Sequence, residues 1–306
     1  MAARRRLLLT FALFGGLVIA GCSPPAPAAV PTASGFAPAS LAAADSAEIS
    51  DCMSRNGRAE QANCLLPIAE DLLGKVFAPV TESRDREFVA PRIITEDGGA
   101  TTSCGAMTKV AYCPGDRVIV VPLDSLATLG DRAARDVDWS AGVLDYFRGL
   151  LNPEQMSVSG HYGVVTALAH EYAHHVQNLI GYVDVSTAEA SRRPDERAEQ
   201  SSELELTADC MAGWFAGASD ASGAYGVTPE DQWAAVTALA EVGDDFRGEL
   251  RGGSADAQSV TTFEHGASDE RSSAWVAGVG MGLDGKEPFA ACLEWSRSAL
   301  LARTSG

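Results

Sequence analysis

The sequence predicts an α+β fold, mostly helical with a small β-sheet. Two observations place the sheet. The β-branched runs Phe88–Thr95 and Arg117–Pro122 come early in the chain and read as strands. A third places the helices: after Pro122 the texture turns to Ala, Leu and Glu with helical apolar spacing. Few strands followed by many helices is the α+β pattern.

Taken in order, Cys64 to Val80 has helical spacing, with Leu65, Leu66, Ile68, Leu72, Leu73 and Val76 on one side. Between the two strand runs, Cys104 to Cys113 reads as a hairpin or loop. Helices are expected near 124–131, 137–151, 161–180, 195–217, 229–243, 267–282 and 287–301. Gly181 and Gly217 sit where helix ends favour glycine, and Pro194 and Pro229 where helix starts tolerate proline. Trp139, Val143, Leu144, Tyr146, Phe147 and Leu150 form one apolar helix face, and the five tryptophans read as core residues.

Composition narrows the function. The chain has 306 residues, 46% hydrophobic and 21% charged, enough for a sizeable core. This excludes collagen-like, coiled-coil and wholly disordered classes. Lys and Arg number 23 against 41 Asp and Glu, a formal charge of −18. A nucleic-acid partner, which needs clustered cations, is not expected.

The amino terminus reads as an export signal. Arg4, Arg5 and Arg6 precede an apolar stretch from Leu7 to Ala20, and small residues lead into Cys22. This resembles a bacterial lipobox, in which the Cys is lipidated and becomes the new terminus. The expected organisation is a signal peptide over 1–21, lipidated Cys22 with a Pro/Ala-rich tether over 22–46, and a folded domain over 47–306. Residues 23–46 hold five Pro and nine Ala, too little apolar surface to fold. Losing three Arg and no acid with the signal leaves a charge of −21. The expected location is the extracytoplasmic face of the cell membrane, held by the lipid.

The chemical signal is His170-Glu171-Tyr172-Ala173-His174, in a chain with five histidines. Residues four apart share a helix face, so both imidazoles face one way with Glu171 beside them. Two neutral imidazoles hold Zn²⁺, and the carboxylate takes a proton from water activated by the metal. Glu205 and Asp209 are again four apart. Glu205 suits a third ligand, and Asp209 suits a hydrogen bond to the free nitrogen of a ligand His. Glu203 is a rival ligand, but its i+4 partner is Thr207, which offers no carboxylate. Tyr172, His175 and His161 lie off the ligand face and read as structural.

Four stretches resemble the bacterial neutral zinc metallopeptidase family. They are His170-Glu171-Tyr172-Ala173-His174-His175-Val176-Gln177-Asn178, Cys104 with Tyr112-Cys113-Pro114-Gly115-Asp116-Arg117-Val118, Glu205-Leu206-Thr207-Ala208-Asp209-Cys210-Met211-Ala212-Gly213, and His265-Gly266-Ala267-Ser268-Asp269-Glu270-Arg271. Ala173 stands where the family usually has Gly, and Thr207 where it often has Gln. The resemblance implies a zincin-like domain, Glu as third ligand, and a protein or peptide substrate. His265, in a loop before a helix, suits a donor to an oxyanion. Two readings follow: a lipid-anchored zinc endopeptidase with Glu171 as general base, or a non-catalytic zinc-binding envelope lipoprotein that scaffolds a partner.

Besides Cys22, six cysteines remain, and export makes pairing the default. Fifteen connectivities are open, and sequence alone does not choose. Short loops suggest Cys52–Cys64 and Cys104–Cys113, which leaves Cys210–Cys292. The acidic pairs Asp136/Asp138 and Asp244/Asp245 lack a calcium-loop pattern and read as solvated.

Overall fold

The computed structural model describes residues 48, 51–52, 54–126, 129–132, 134, 147–148, 150–151, 156, 162–184, 186, 197–245 and 265–305. The expected signal, Cys22 and the tether lie outside these residues, as do His161, Pro194, Trp139, Asp136, Asp138 and most of the 137–151 helix.

Helix α1 spans Arg58–Glu82. It begins six residues before the apolar periodicity, because Arg58 to Ala62 are helix formers with no stripe to betray them. Leu65, Leu72, Leu73, Val76 and Phe77 are buried in the main core. Strand β1, Arg92–Ile94, is shorter than the predicted run. Pro91 interrupts the run, and the residues before it serve the helices instead. Phe88 stacks on Tyr172, and the Val89 carbonyl accepts from His175 Nε2 at 2.6 Å.

A hairpin forms as β2, Ala100–Thr102, and β3, Gly105–Met107, earlier than predicted: the 104–113 segment is divided between β3 and a strand of the other sheet, which do not pair with each other. Strands β4, Ala111–Cys113, and β5, Val118–Val120, complete a second sheet in the order β1-β5-β4. There β1 runs parallel and β4 antiparallel to β5. A short helix α2, Leu123–Leu126, follows.

Helix α3, Tyr162–Leu179, is the centre of the molecule. It packs on α1, on α4 (Arg197–Ser222), on α5 (Pro229–Glu241) and on the sheet. His175 ties it to the sheet. Because Val89 O can only accept, Nε2 carries the proton, so Tyr112 Oη donates to Nδ1 at 3.0 Å and accepts from Asn178 Nδ2 at 2.8 Å. Burial holds the His175 pKa down to about 4, so the ring stays neutral. The structural role expected of His175 and Tyr172 is what this packing provides.

Thr228 and Asp231 cap α5 reciprocally, with Pro229 in its first turn as predicted. Helices α6, Ser268–Leu283, and α7, Pro288–Ser305, close the chain. Trp214, Trp233 and Trp275 are fully buried. Gly181 ends α3 with φ +78°, as expected of a helix C-terminus.

Gly217 does not. It lies inside α4, which runs on to Ser222. The reason is a close helix pair. A Cβ on Gly213 would sit 2.0 Å from Trp275 O, on Gly217 2.1 Å from Val279 O, on Gly278 1.9 Å from Cys210 O, and on Gly282 2.2 Å from Trp214 O. Helices α4 and α6 therefore run in the same direction, backbone against backbone. No other residue fits between them.

Three disulfides form: Cys52–Cys64, Cys104–Cys113 and Cys210–Cys292. This is the pairing that loop length suggested. The last closes a separation of 82 residues, worth about 4–5 kcal/mol in the chain-entropy account. It fastens α7 to α4. Among the described residues no helix is long and apolar enough to cross a membrane.

Gly278→Val should separate α4 from α6 and cost about 3 kcal/mol or more, read as a lower melting temperature. Gly280→Ala, on the same helix but facing open space, should hold or raise it by up to about 1 kcal/mol of helix propensity. Equal effects of the two would disprove the close-approach account.

Candidate metal centre

Helix α3 carries His170, Glu171 and His174, and α4 carries Glu205 and Asp209. The two imidazoles face each other, with Nε2 atoms 3.0 Å apart. Glu205 closes the triangle: Oε2 lies 3.4 Å from His170 Nε2, and Oε1 3.5 Å from His174 Nε2. Among the described residues this is the one group of three or more His, Cys, Asp or Glu able to hold a metal ion.

The surrounding contacts fix the tautomers. Gln177 Nε2 donates to Leu204 O at 3.0 Å, so Gln177 Oε1 is the acceptor facing His174 Nδ1 at 2.8 Å. His174 Nδ1 therefore carries the proton and its Nε2 a lone pair. His170 Nδ1 lies 2.7 Å from Asp209 Oδ1, close but bent, since the N–H does not point straight at the oxygen. A carboxylate only accepts, so His170 Nδ1 carries a proton, and in the neutral ring Nε2 is a lone pair too. Two lone pairs and a carboxylate converge on one point, which is unfavourable unless a cation sits there.

Zinc fits that demand. Tetrahedral Zn²⁺ with bonds of about 2.0–2.1 Å separates its N and O ligands by about 3.3–3.4 Å. The observed edges of 3.0, 3.4 and 3.5 Å bracket this value. Three protein ligands, with no fourth among the described residues, is the pattern of catalytic rather than structural zinc.

The electrostatics agree. With no metal there, burial opposes charge on His170, but Asp209 and Glu205 outweigh it and lift its pKa to about 10, so a proton takes the place that a metal cation would fill. Burial alone would raise Glu205, yet the two imidazoles hold it well below the usual carboxylate range. Both shifts express one local demand for positive charge.

Asp209 is fully buried and bidentate with Arg271: Nε to Oδ2 at 2.9 Å, Nη2 to Oδ1 at 2.9 Å. Arg271 Nη2 is also 3.7 Å from Glu205 Oε2. Glu171 is half-buried, and its charge acts on Arg271. Glu203 is engaged elsewhere: Arg297 grips it at 2.9 and 3.3 Å, and Tyr182 Oη donates to it. The structure thus brings Glu205, not Glu203, to the histidines. Cys210 is taken by its disulfide.

His265 occupies the turn before α6. Its Nδ1 is 3.0 Å from Asp244 Oδ1, and its backbone N–H donates to Asp244 Oδ2 at 2.7 Å. The turn packs on α4 and α6, since a Cβ on Gly266 would meet Leu206 at 3.3 Å and Arg271 at 3.7 Å. Asp244 and Asp245, expected to be solvated, are instead structural: Asp245 Oδ1 accepts from the Ser268 backbone at 2.9 Å and from its hydroxyl at 2.7 Å.

Sequence reasoning missed the roles of Arg271, Asp244 and Gln177. Arg271 and Gln177 stood inside the quoted motif stretches, and this was the available signal. Asp244 offered only an acidic pair.

The family model described as "Putative neutral zinc metallopeptidase" matches residues 143–287. Two curated relatives, each called "Uncharacterized protein YpfJ", come from Escherichia coli strain K12 and from E. coli O6:H1. Each is 26% identical over 222 residues, covering 71% of this chain and 66% of the relative. The chain therefore spans just under two thirds of the length of these relatives. No solved structure matches. The residues of the cluster, from His170 to Arg271, lie inside the part of the chain that matches the neutral zinc metallopeptidase family, the family its motifs resemble.

Proposed function

We propose that the protein is a lipid-anchored zinc endopeptidase of the cell envelope, acting on protein or peptide substrates. The observation that carries the reading is the convergence of two imidazole Nε2 atoms and one carboxylate, 3.0–3.5 Å apart, with no fourth protein ligand among the described residues. His170, His174 and Glu205 would hold the metal. Zinc bound there supplies Lewis acidity, activating a water and polarising the scissile carbonyl.

The remaining work falls to side chains. Glu171 accepts the proton of the attacking water at its carboxylate and hands it to the leaving amine. Asp209 and Gln177 hold the two imidazoles in the tautomers that direct Nε2 at the site. As an imidazolium, His265 is a donor to the developing oxyanion through Nε2–H, with its Nδ1–H held by Asp244.

Glu171→Gln in the purified chain should retain about one bound zinc and lose about 10²–10⁴-fold in cleavage of an unfolded protein. Equal cleavage by wild type and variant would sink the mechanism. His265→Ala should lower kcat by about 10²–10³-fold, as loss of an oxyanion donor does, with zinc content unchanged. An unaltered kcat would remove His265 from the reaction.

The anchor rests on Arg4–Arg6, the apolar run and Cys22. Three disulfides accord with an oxidising compartment. Cys22→Ala should shift the protein from the membrane fraction to the soluble fraction. Continued sedimentation with membranes would contradict lipidation at Cys22.

A further inference from the structure

We propose that Arg271 is the internal counter-cation of this metal site: a positioning residue whose fixed charge holds Asp209 and Glu205 in place before a metal arrives. The inference rests on the reading of the site as a zinc centre. It adds that zinc enters a site already built, rather than one it must assemble.

Arg271 is 2% exposed, and it comes from the first turns of α6, whereas the converging residues come from α3 and α4. Its Nε and Nη2 grip both oxygens of Asp209 at 2.9 Å. The same Nη2 lies 3.7 Å from Glu205 Oε2. One guanidinium thus reaches the carboxylate that orients His170 and the carboxylate that converges with the imidazoles. A pair serving only to fill the core would have no reason to reach the second.

The charges give the same answer. Asp209, Glu205 and Glu171 bring three negative charges within reach of one guanidinium. Arg271 cancels one of these charges, and a divalent cation at the imidazoles would cancel the other two. Without Arg271, the fully buried Asp209 loses both of its guanidinium hydrogen bonds, and Glu205 loses the cation beside it. Such an arrangement does not persist in a low-dielectric interior. With zinc bound, the loss of Arg271 matters less, because the metal supplies positive charge to the same carboxylates.

The test is thermal unfolding of the purified full chain, stripped by a chelator and then reloaded with Zn²⁺, in wild type and Arg271→Gln. The stripped variant should melt about 10 °C or more below stripped wild type. The loaded forms should differ by less than half of that. The zinc-induced rise in Tm is therefore larger in the variant. A residue that only packs would lower both states equally and leave the rise unchanged. The pair Asp209→Asn with Arg271→Gln removes both charges and should return the rise to the wild-type value. If Arg271→Gln does not fold, Arg271→Lys replaces it. That variant keeps the charge but loses the two-pronged grip, and its zinc-induced rise must still exceed that of wild type. A rise equal to or smaller than wild type in Arg271→Gln, or in Arg271→Lys where it replaces that variant, overturns the inference while leaving zinc binding intact. A wild type that binds no zinc and shows no rise overturns the site reading and this inference together.

Discussion

One buried carboxylate joins the fold to the site. Asp209 takes two N–H donors from Arg271 and faces Nδ1 of His170. These three residues come from α4, α6 and α3, so a single anion fixes how three helices meet. A buried charge is tolerated only when paired and hydrogen-bonded, and here the pairing also sets the tautomer of an imidazole. If Asp209 moves, His170 loses its orientation and Arg271 its partner.

That meeting requires α4 and α6 to approach more closely than ordinary side chains permit. The glycines at 213, 217, 278 and 282 make the approach possible, and they bring the first turns of α6 level with Asp209. Polar chemistry and apolar packing are therefore one design problem in this molecule. The glycines are needed so that an arginine can reach a carboxylate. The disulfide between Cys210 and Cys292 fastens a third helix to the same segment, one residue beyond Asp209.

Much of the site was legible in the sequence because its signals are local. His170, Glu171 and His174 lie within five residues, and Glu205 and Asp209 repeat the i, i+4 spacing. Both patterns survive any uncertainty about tertiary structure. The preference for Glu205 over Glu203 needed only the question of which had a carboxylate one turn on. The disulfides were suggested by loop length. What could not be read depends on contacts between distant segments. Arg271 sits 62 positions from Asp209, and an arginine in an acidic helix start looks like a solvated cation. Gly217 looked like a helix end because its close neighbour, Val279, is remote in sequence. The first strand was overestimated because Phe88 and Val89 have the composition of a strand but spend their side chain and carbonyl on α3.

The Cys210–Cys292 bond has a topological consequence. It closes a covalent ring that contains α5, α6, Asp244, His265 and Arg271, while His170, His174 and Glu205 lie on the chain before it. A break at any single peptide bond inside the ring would create new ends without dividing the molecule. The part carrying the imidazoles and the part carrying Arg271 would stay tethered beside each other. The chain can thus be nicked within this stretch and remain one body for as long as that sulfur–sulfur link is oxidised.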